Sequence, residues 1–196
     1  RVTVLFDTLP LKVLTFDSEG KVVFLLISAN VSSAGSLQEF LGAPLDGKES
    51  DLNIYDRFRI WWKIKSAKTN LVQTIDLRKI NSSRLDLELA GIFKDQAISA
   101  EHLTIEVLNA SNKPEMANRA ARLITNLGGT VISLGNSEKE SDSCQLRAEE
   151  KVLKSFTAQR LKKIFNCREI PLKSAESRAD LQLIVGLDYW RKLTER

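Results

Sequence analysis

Between Leu103 and Val185 the apolar residues change period several times, and this alternation constrains the fold more than any other feature of the 196-residue chain. Leu103-Thr-Ile-Glu-Val-Leu-Asn109 reads as a strand. A polar break, Ala110-Ser-Asn-Lys113, separates it from a helical pattern in which Ala117, Ala120, Ala121, Ile124 and Leu127 share one face. Asn112 or Lys113 stands before Pro114, which suits a first helical turn, and Gly128-Gly129 supplies the stop. Val131 and Ile132 open a second strand, and the polar stretch Ser137 to Ser143 reads as a mobile loop. A second helix is expected from about Glu150 to Asn166, with Leu153, Phe156, Leu161, Ile164 and Phe165 turned inward. Arg168–Leu172 is extended and Leu181–Val185 is a last strand. The order β-α-β-(β)-α-β-β implies helices packed on one small mixed sheet.

The N-terminal half is extended first and helical later. Val2–Phe6 and Leu11–Phe16 alternate with a period near two, and Asp17-Ser-Glu-Gly20 carries turn chemistry. Lys21–Ile27 is a continuous apolar run, suited to a strand buried on both faces. Ser36 can cap a short helix over Ser36–Gly42, with Glu39 three residues on and Gly42 as the stop. Ala43–Gly47 is a turn. Ser50 or Asp51 can cap a second helix through Tyr55–Lys65, where Phe58, Trp61, Trp62 and Lys65 recur at spacings of three and four. Its aromatics are expected in the core or against a partner. Ile75–Leu77 is extended, and Arg84–Leu89 alternates as a strand with one wet face would. Phe93–His102 holds few large apolar residues and reads as a linker. The expected class is α/β of the mixed α+β kind. Two small domains, residues 1–92 and 103–196, are joined by 93–102, each a mixed β-sheet covered by helices.

Bulk properties remove several function classes. At 43% apolar and 28% charged the chain is ordinary for a globular protein, and a net charge of +4 is too small to indicate nucleic acid. No run approaches the ~18 apolar residues of a membrane span, and no signal peptide is present. The chain begins at Arg1 and its sole methionine is Met116, so a segment upstream is expected to have been removed. Two cysteines are too few for a four-ligand zinc site. The sole histidine, His102, precedes a strand and does not sit in a nucleophile elbow. No catalytic residue, cofactor site or metal ligand is assigned.

Residues 103–189, taken together, resemble the LytR C-terminal domain. The residues that carry the resemblance are the strand Leu103–Asn109, the stretch Pro114-Glu-Met-Ala-Asn-Arg-Ala-Ala-Arg-Leu-Ile-Thr-Asn-Leu-Gly128, the strand Thr130-Val-Ile-Ser-Leu-Gly135 and the closing Ala179-Asp-Leu-Gln-Leu-Ile-Val-Gly-Leu-Asp-Tyr189. That module is attached to bacterial LytR-CpsA-Psr cell-wall proteins and also occurs apart from them. The resemblance implies an extracytoplasmic place in the bacterial envelope, anchored by a transmembrane segment upstream of Arg1, and no catalytic centre in this region. Leu14-Thr-Phe-Asp-Ser-Glu-Gly-Lys-Val-Val-Phe-Leu-Leu-Ile27 and Leu41-Gly-Ala-Pro-Leu-Asp46 resemble a degenerate, truncated LytR-CpsA-Psr catalytic domain. In that family the strand is followed by a serine-isoleucine-proline-arginine-aspartate motif whose arginine grips a pyrophosphate. Here the corresponding stretch reads Ile27-Ser-Ala-Asn-Val31. Phosphoryl transfer needs cationic stabilisation of the phosphoryl oxygens, which neither Ala29 nor Asn30 supplies. Arg57 and Arg59 do not replace the motif, because two positions apart on a helix they diverge by roughly 200°. Adjacent Trp61 and Trp62 diverge by about 100°, so only one can dominate a sugar-stacking surface.

Three groups remain as candidate sites. Asn109, Ser111 and Asn112 lie between the first strand and helix of the C-terminal domain, where unpaired N–H groups can meet a ligand. Relatives carry an asparagine-glycine-threonine-glycine run there, and the loss of the glycines leaves local capping as the competing role. Lys151, Lys154, Arg160, Lys162, Lys163 and Arg168 form a basic stretch without an acidic residue, suited to an anionic polymer or to simple solvation. Cys144 and Cys167 each open an expected strand on either side of a β-α-β crossover, which brings such ends together. They are either a disulfide or two buried thiols. The resulting expectation is a non-catalytic envelope protein that binds or scaffolds at the wall, with anionic wall polymer or envelope proteins as partners. The alternatives are a glycopolymer phosphotransferase of the LytR-CpsA-Psr type and a basic nucleic-acid-binding module.

Overall fold

A computed structural model of the chain describes residues 2–6, 8, 11–16, 21–27, 34–67, 72–79, 82–172 and 178–194. The turn expected at 17–20 and the stretch 28–31 after the third strand lie outside them. The apolar runs of the N-terminal half become β1 (Val2–Phe6), β2 (Leu11–Phe16) and β3 (Val22–Ile27), paired antiparallel in sequence order. A two-residue strand, β4 (Gly47–Lys48), runs parallel to β1, and β5 (Val72–Asp76) runs parallel to β3. The result is a five-stranded mixed sheet of order β4-β1-β2-β3-β5.

Continuous apolar strands at the centre of this sheet require cover on both faces. On one face Val13, Val23, Leu25 and Ile27 pack with Leu37 and Leu41 of helix α1 (Ala34–Leu41) and with Leu85 and Leu89 of helix α3 (Ser82–Leu89). On the other, a smaller cluster of Val4, Leu14, Phe16 and Val22 meets Ile60 of helix α2 (Ile54–Ser66). Three sequence expectations are corrected here. Helix α1 begins at Ala34, so Ser36 lies inside it and is not its cap. Helix α2 is capped by Asn53, whose side chain accepts from the Asp56 amide at 2.9 Å, while Ser50 and Asp51 sit on a separate 3-10 turn. Arg84–Leu89 is helical: Leu85 and Leu89 are buried four residues apart and Leu87 is exposed, a period that favours a helix over a strand.

The second sheet has the order β7-β6-β10-β8-β9. Strands β6 (Thr104–Asn109), β7 (Thr130–Asn136) and β10 (Leu181–Val185) run parallel, β8 (Gln145–Ala148) is antiparallel to β10, and β9 (Arg168–Pro171) is parallel to β8. Helix α5 (Met116–Asn126) is the crossover between β6 and β7, and its small-residue stripe is buried as expected. Pro114 lies in a turn before this helix and not in its first turn; the capping position is Glu115, at φ 65°. Gly128, at φ 92°, ends the element, and a Cβ there would stand 2.2 Å from Ser99 Oγ. The helix expected over 150–166 is two pieces, α6 (Glu150–Leu153) and α7 (Phe156–Phe165). Ser155 breaks it by capping α7, accepting from the Ala158 amide at 3.1 Å. Phe156 consequently faces outward, against expectation. A helix not anticipated from the sequence, α8 (Leu187–Thr194), follows β10 and buries Tyr189 and Leu193.

The stretch 93–102 carries helix α4 (Gln96–Glu101), capped by the Asp95 carboxylate on the Ala97 amide. Phe93 belongs to the first core and Ile98 to the second. The cores are further joined by Arg122 of α5, which donates to the Glu39 and Phe40 carbonyls at 2.6 and 3.1 Å and pairs with Asp86. Asn126 donates to the Gly42 carbonyl at 2.9 Å, and Arg119 meets Glu39 at 2.8 Å. No helix among the described residues is long and apolar enough to cross a membrane.

Candidate functional site

Strands β6, β7 and β10 are parallel, and their carboxyl ends meet at one edge, where open α/β sheets commonly bind ligands. The loop leaving β6 there holds Asn109, Ser111 and Asn112. The structure brings Asn109 and Ser111 together and spends their polar atoms on each other and on nearby backbone. Asn109 Oδ1 accepts from the Ser111 amide at 3.0 Å and from Ser111 Oγ at 2.7 Å, while Asn109 Nδ2 donates to the Lys113 carbonyl at 2.8 Å. Ser111 Oγ accepts from the Lys113 amide at 3.3 Å and is buried. Asn112 stands apart at φ 53°, exposed. A shallow cavity of about 240 Å³ beside the loop is lined by Asn109, Glu115, Asn118 and Asn136. The Glu115 carboxylate at its rim opposes an anionic ligand. The 137–143 segment next to it is tied down by backbone bonds. The Ser137 amide donates to the Asn109 carbonyl, the Ser141 amide to Ala110, and the Leu187 and Asp188 amides to Ser141 and Asp142.

The basic stretch does not form one cationic face. Arg160 reaches across to Asp46 at 2.8 Å, where both side chains are largely buried, and so joins α7 to the first sheet. Lys154 pairs with Glu150 at 2.7 Å and Lys162 with Glu169 at 3.1 Å, leaving Lys151, Lys163 and Arg168 exposed. The N-terminus of α7 is occupied as well, because the Glu101 carboxylate accepts from the Phe156 and Thr157 amides at 2.8 Å each. Burial raises that carboxyl's affinity for its proton, but the hydrogen bonds from Thr157 and Phe156 outweigh it and hold Glu101 below the usual range. Among the described residues no group of three metal-binding side chains converges.

Cys144 and Cys167 form a disulfide with their Cα atoms 4.4 Å apart. The expected geometry is realised: Gln145 pairs with Arg168 at the head of the parallel strands β8 and β9, so the preceding cysteines stand side by side. A stable disulfide fits an oxidising compartment.

Residues 102–189 match the family described as LytR cell envelope-related transcriptional attenuator, and the match spans β6 to the first turn of α8. Over these residues the chain is similar to the LytR C-terminal domain. The match does not extend into the N-terminal half. No curated protein and no solved structure matches the chain. The family description ties the LytR C-terminal domain to the cell envelope.

Outside the matched residues, the exposure of α2 removes one of the two places expected for its aromatics, the core, and leaves packing against a partner. Its aromatics are not core: Ile54 is 77% exposed, Tyr55 78%, Phe58 59%, Trp61 49% and Trp62 59%, and only Ile60 is buried. The signal was present in the sequence. Ile60 and Ile64 mark one apolar stripe, the five exposed residues a second on the opposite side, and one helix cannot turn both toward one sheet. Arg57 is not paired with Arg59. Its guanidinium donates to the Leu52 and Glu49 carbonyls at 3.3 and 3.2 Å.

Proposed function

We propose that the chain is a non-catalytic binding or scaffolding module of the bacterial cell envelope, working on the extracytoplasmic side. The observation that carries this reading is the disulfide built into a domain similar to the LytR C-terminal domain, at the head of two parallel strands. An envelope address gives that bond the oxidising surroundings in which it persists. The satisfied loop at Asn109 and Ser111 supports a structural role for the polar residues nearest the strand ends. The enzyme alternative lacks a cation after β3, since Ala29 and Asn30 stand where the phosphotransferase family has its motif.

Two measurements test the reading. Thiol trapping on the chain expressed with and without an export signal should find the bond closed only after export. A closed bond in cytoplasmic material would remove the argument for the compartment. Purified chain should leave a polyprenyl-pyrophosphate-linked glycan donor intact, and detectable transfer or hydrolysis would make it an enzyme.

A further inference from the structure

Helix α2 presents a combination that its own domain does not use. Ile54, Tyr55, Phe58, Trp61 and Trp62 fall within about 120° of arc on a helix about 20 Å long. Phe58, Trp61 and Trp62 touch one another, with ring centroids 5.8, 6.2 and 6.4 Å apart. Arg57 and Arg59 border the stripe on its two sides, and Lys65 at its end lies over the Trp61 ring at 4.8 Å. The helix carries four cations, Arg57, Arg59, Lys63 and Lys65, against the single acid Asp56. Among the described residues none of the four is paired with a carboxylate. Ile60 and Ile64 on the opposite side fix the helix to the sheet, so the aromatic stripe points outward as a ridge and not into a groove.

We propose that α2 docks the N-terminal domain flat onto an anionic lipid surface. Tryptophan and tyrosine, each apolar with one polar atom, suit the depth at which headgroups meet acyl chains. A helix lying in that plane needs one apolar face buried and cations at its margins to meet phosphate, which is the arrangement of Arg57, Arg59 and Lys65. A protein partner would also welcome the aromatics, but the excess of positive charge along the helix, four cations against Asp56, favours an anionic surface. The proposal deepens the envelope reading by naming a partner surface and rests on it only for where such lipid is met.

The test uses the full chain with vesicles of pure phosphatidylcholine, or of equimolar phosphatidylcholine and phosphatidylglycerol. Binding is read by co-sedimentation and by tryptophan emission in a Trp190→Phe background, which leaves Trp61 and Trp62 as the reporters. The expected result is binding to the anionic vesicles, far weaker binding to the neutral ones, a blue shift, and quenching by brominated acyl chains. Replacing Trp61 and Trp62 together by Ala should weaken partition by about tenfold or more. Arg59→Glu with Lys65→Glu should weaken it by about fivefold per cation removed. Circular dichroism and the closed disulfide report that each variant is folded. No binding by the parent chain, or equal binding by the double tryptophan variant, overturns the proposal. So does a blue shift produced by soluble glycan without vesicles, which would make the stripe a saccharide platform. Self-association lost in the tryptophan variant, with no vesicle binding, would assign the stripe to a second copy. Thiol trapping tests the compartment by a separate readout, so the two readings fail independently.

Discussion

Helices α2 and α5 each carry a run of apolar residues at helical spacing, yet they meet opposite surroundings. Helix α5 buries Met116, Ala117, Ala120, Ala121, Leu123 and Ile124 against β6, β7 and β10, whereas α2 buries Ile60 alone. The small side chains of α5 let it approach its sheet closely, and the bulky rings of α2 sit on the side its sheet does not reach. The difference teaches that apolar content does not set burial; the number of separate apolar stripes around the helix does. The C-terminal domain spends its hydrophobicity internally, and the N-terminal domain holds some in reserve.

The sharpest way to break this contrast is to truncate α5. Leu123→Ala should cost about 3 kcal/mol in urea unfolding, through lost contacts and the cavity left behind. A loss below about 1 kcal/mol would mean that the α5 core is slack. Opening the Cys144–Cys167 link by changing both residues to Ala closes off the constraint on a 23-residue separation. It should lower stability by about 3 kcal/mol in the chain-entropy picture, with the loss confined to the C-terminal transition.

A third test uses alkali. Burial at the α8–α1 contact pushes the Tyr189 phenol up to about 12, so the folded chain keeps it neutral while the unfolded chain ionises it from about pH 10. Its contribution is complete below pH 10 and is lost as pH rises toward 12, roughly 3 kcal/mol in all. Tyr189→Phe should flatten stability against pH in that window. An unchanged slope would show that the phenol reaches water. The smallest effect is expected on α2, where Trp61→Ala should shift unfolding by no more than about 0.5 kcal/mol. A shift like that of Leu123→Ala would mean that the stripe is core after all.

Much of the C-terminal domain was legible because its elements are marked locally. The Ala117–Leu127 stripe, the Gly128-Gly129 stop and the strand-opening cysteines each carry their own physical signal. The failures have equally specific causes. Arg84–Leu89 alternates in sequence, but Leu85 and Leu89 alone contact the core, so a strand pattern covered a helix. Ser155 looked like an interior residue of one long helix because its capping bond to Ala158 competes with continuation only once the chain turns there. The basic stretch looked uniform because Glu150 and Glu169, which pair with Lys154 and Lys162, lie just outside its ends, and Asp46, which pairs with Arg160, is distant in sequence. The joint between domains was illegible for the same reason: Arg122 binds carbonyls more than 80 residues upstream, and no local pattern marks an arginine for that duty.

The disulfide has a bearing on how the chain is made. Within these 196 residues each cysteine has one possible partner, so no wrong pairing exists to be corrected. The two sulfurs are held together only when β8, the α6–α7 crossover and β9 are all in place. Closure of the bond therefore serves as a chemical record that the crossover has folded.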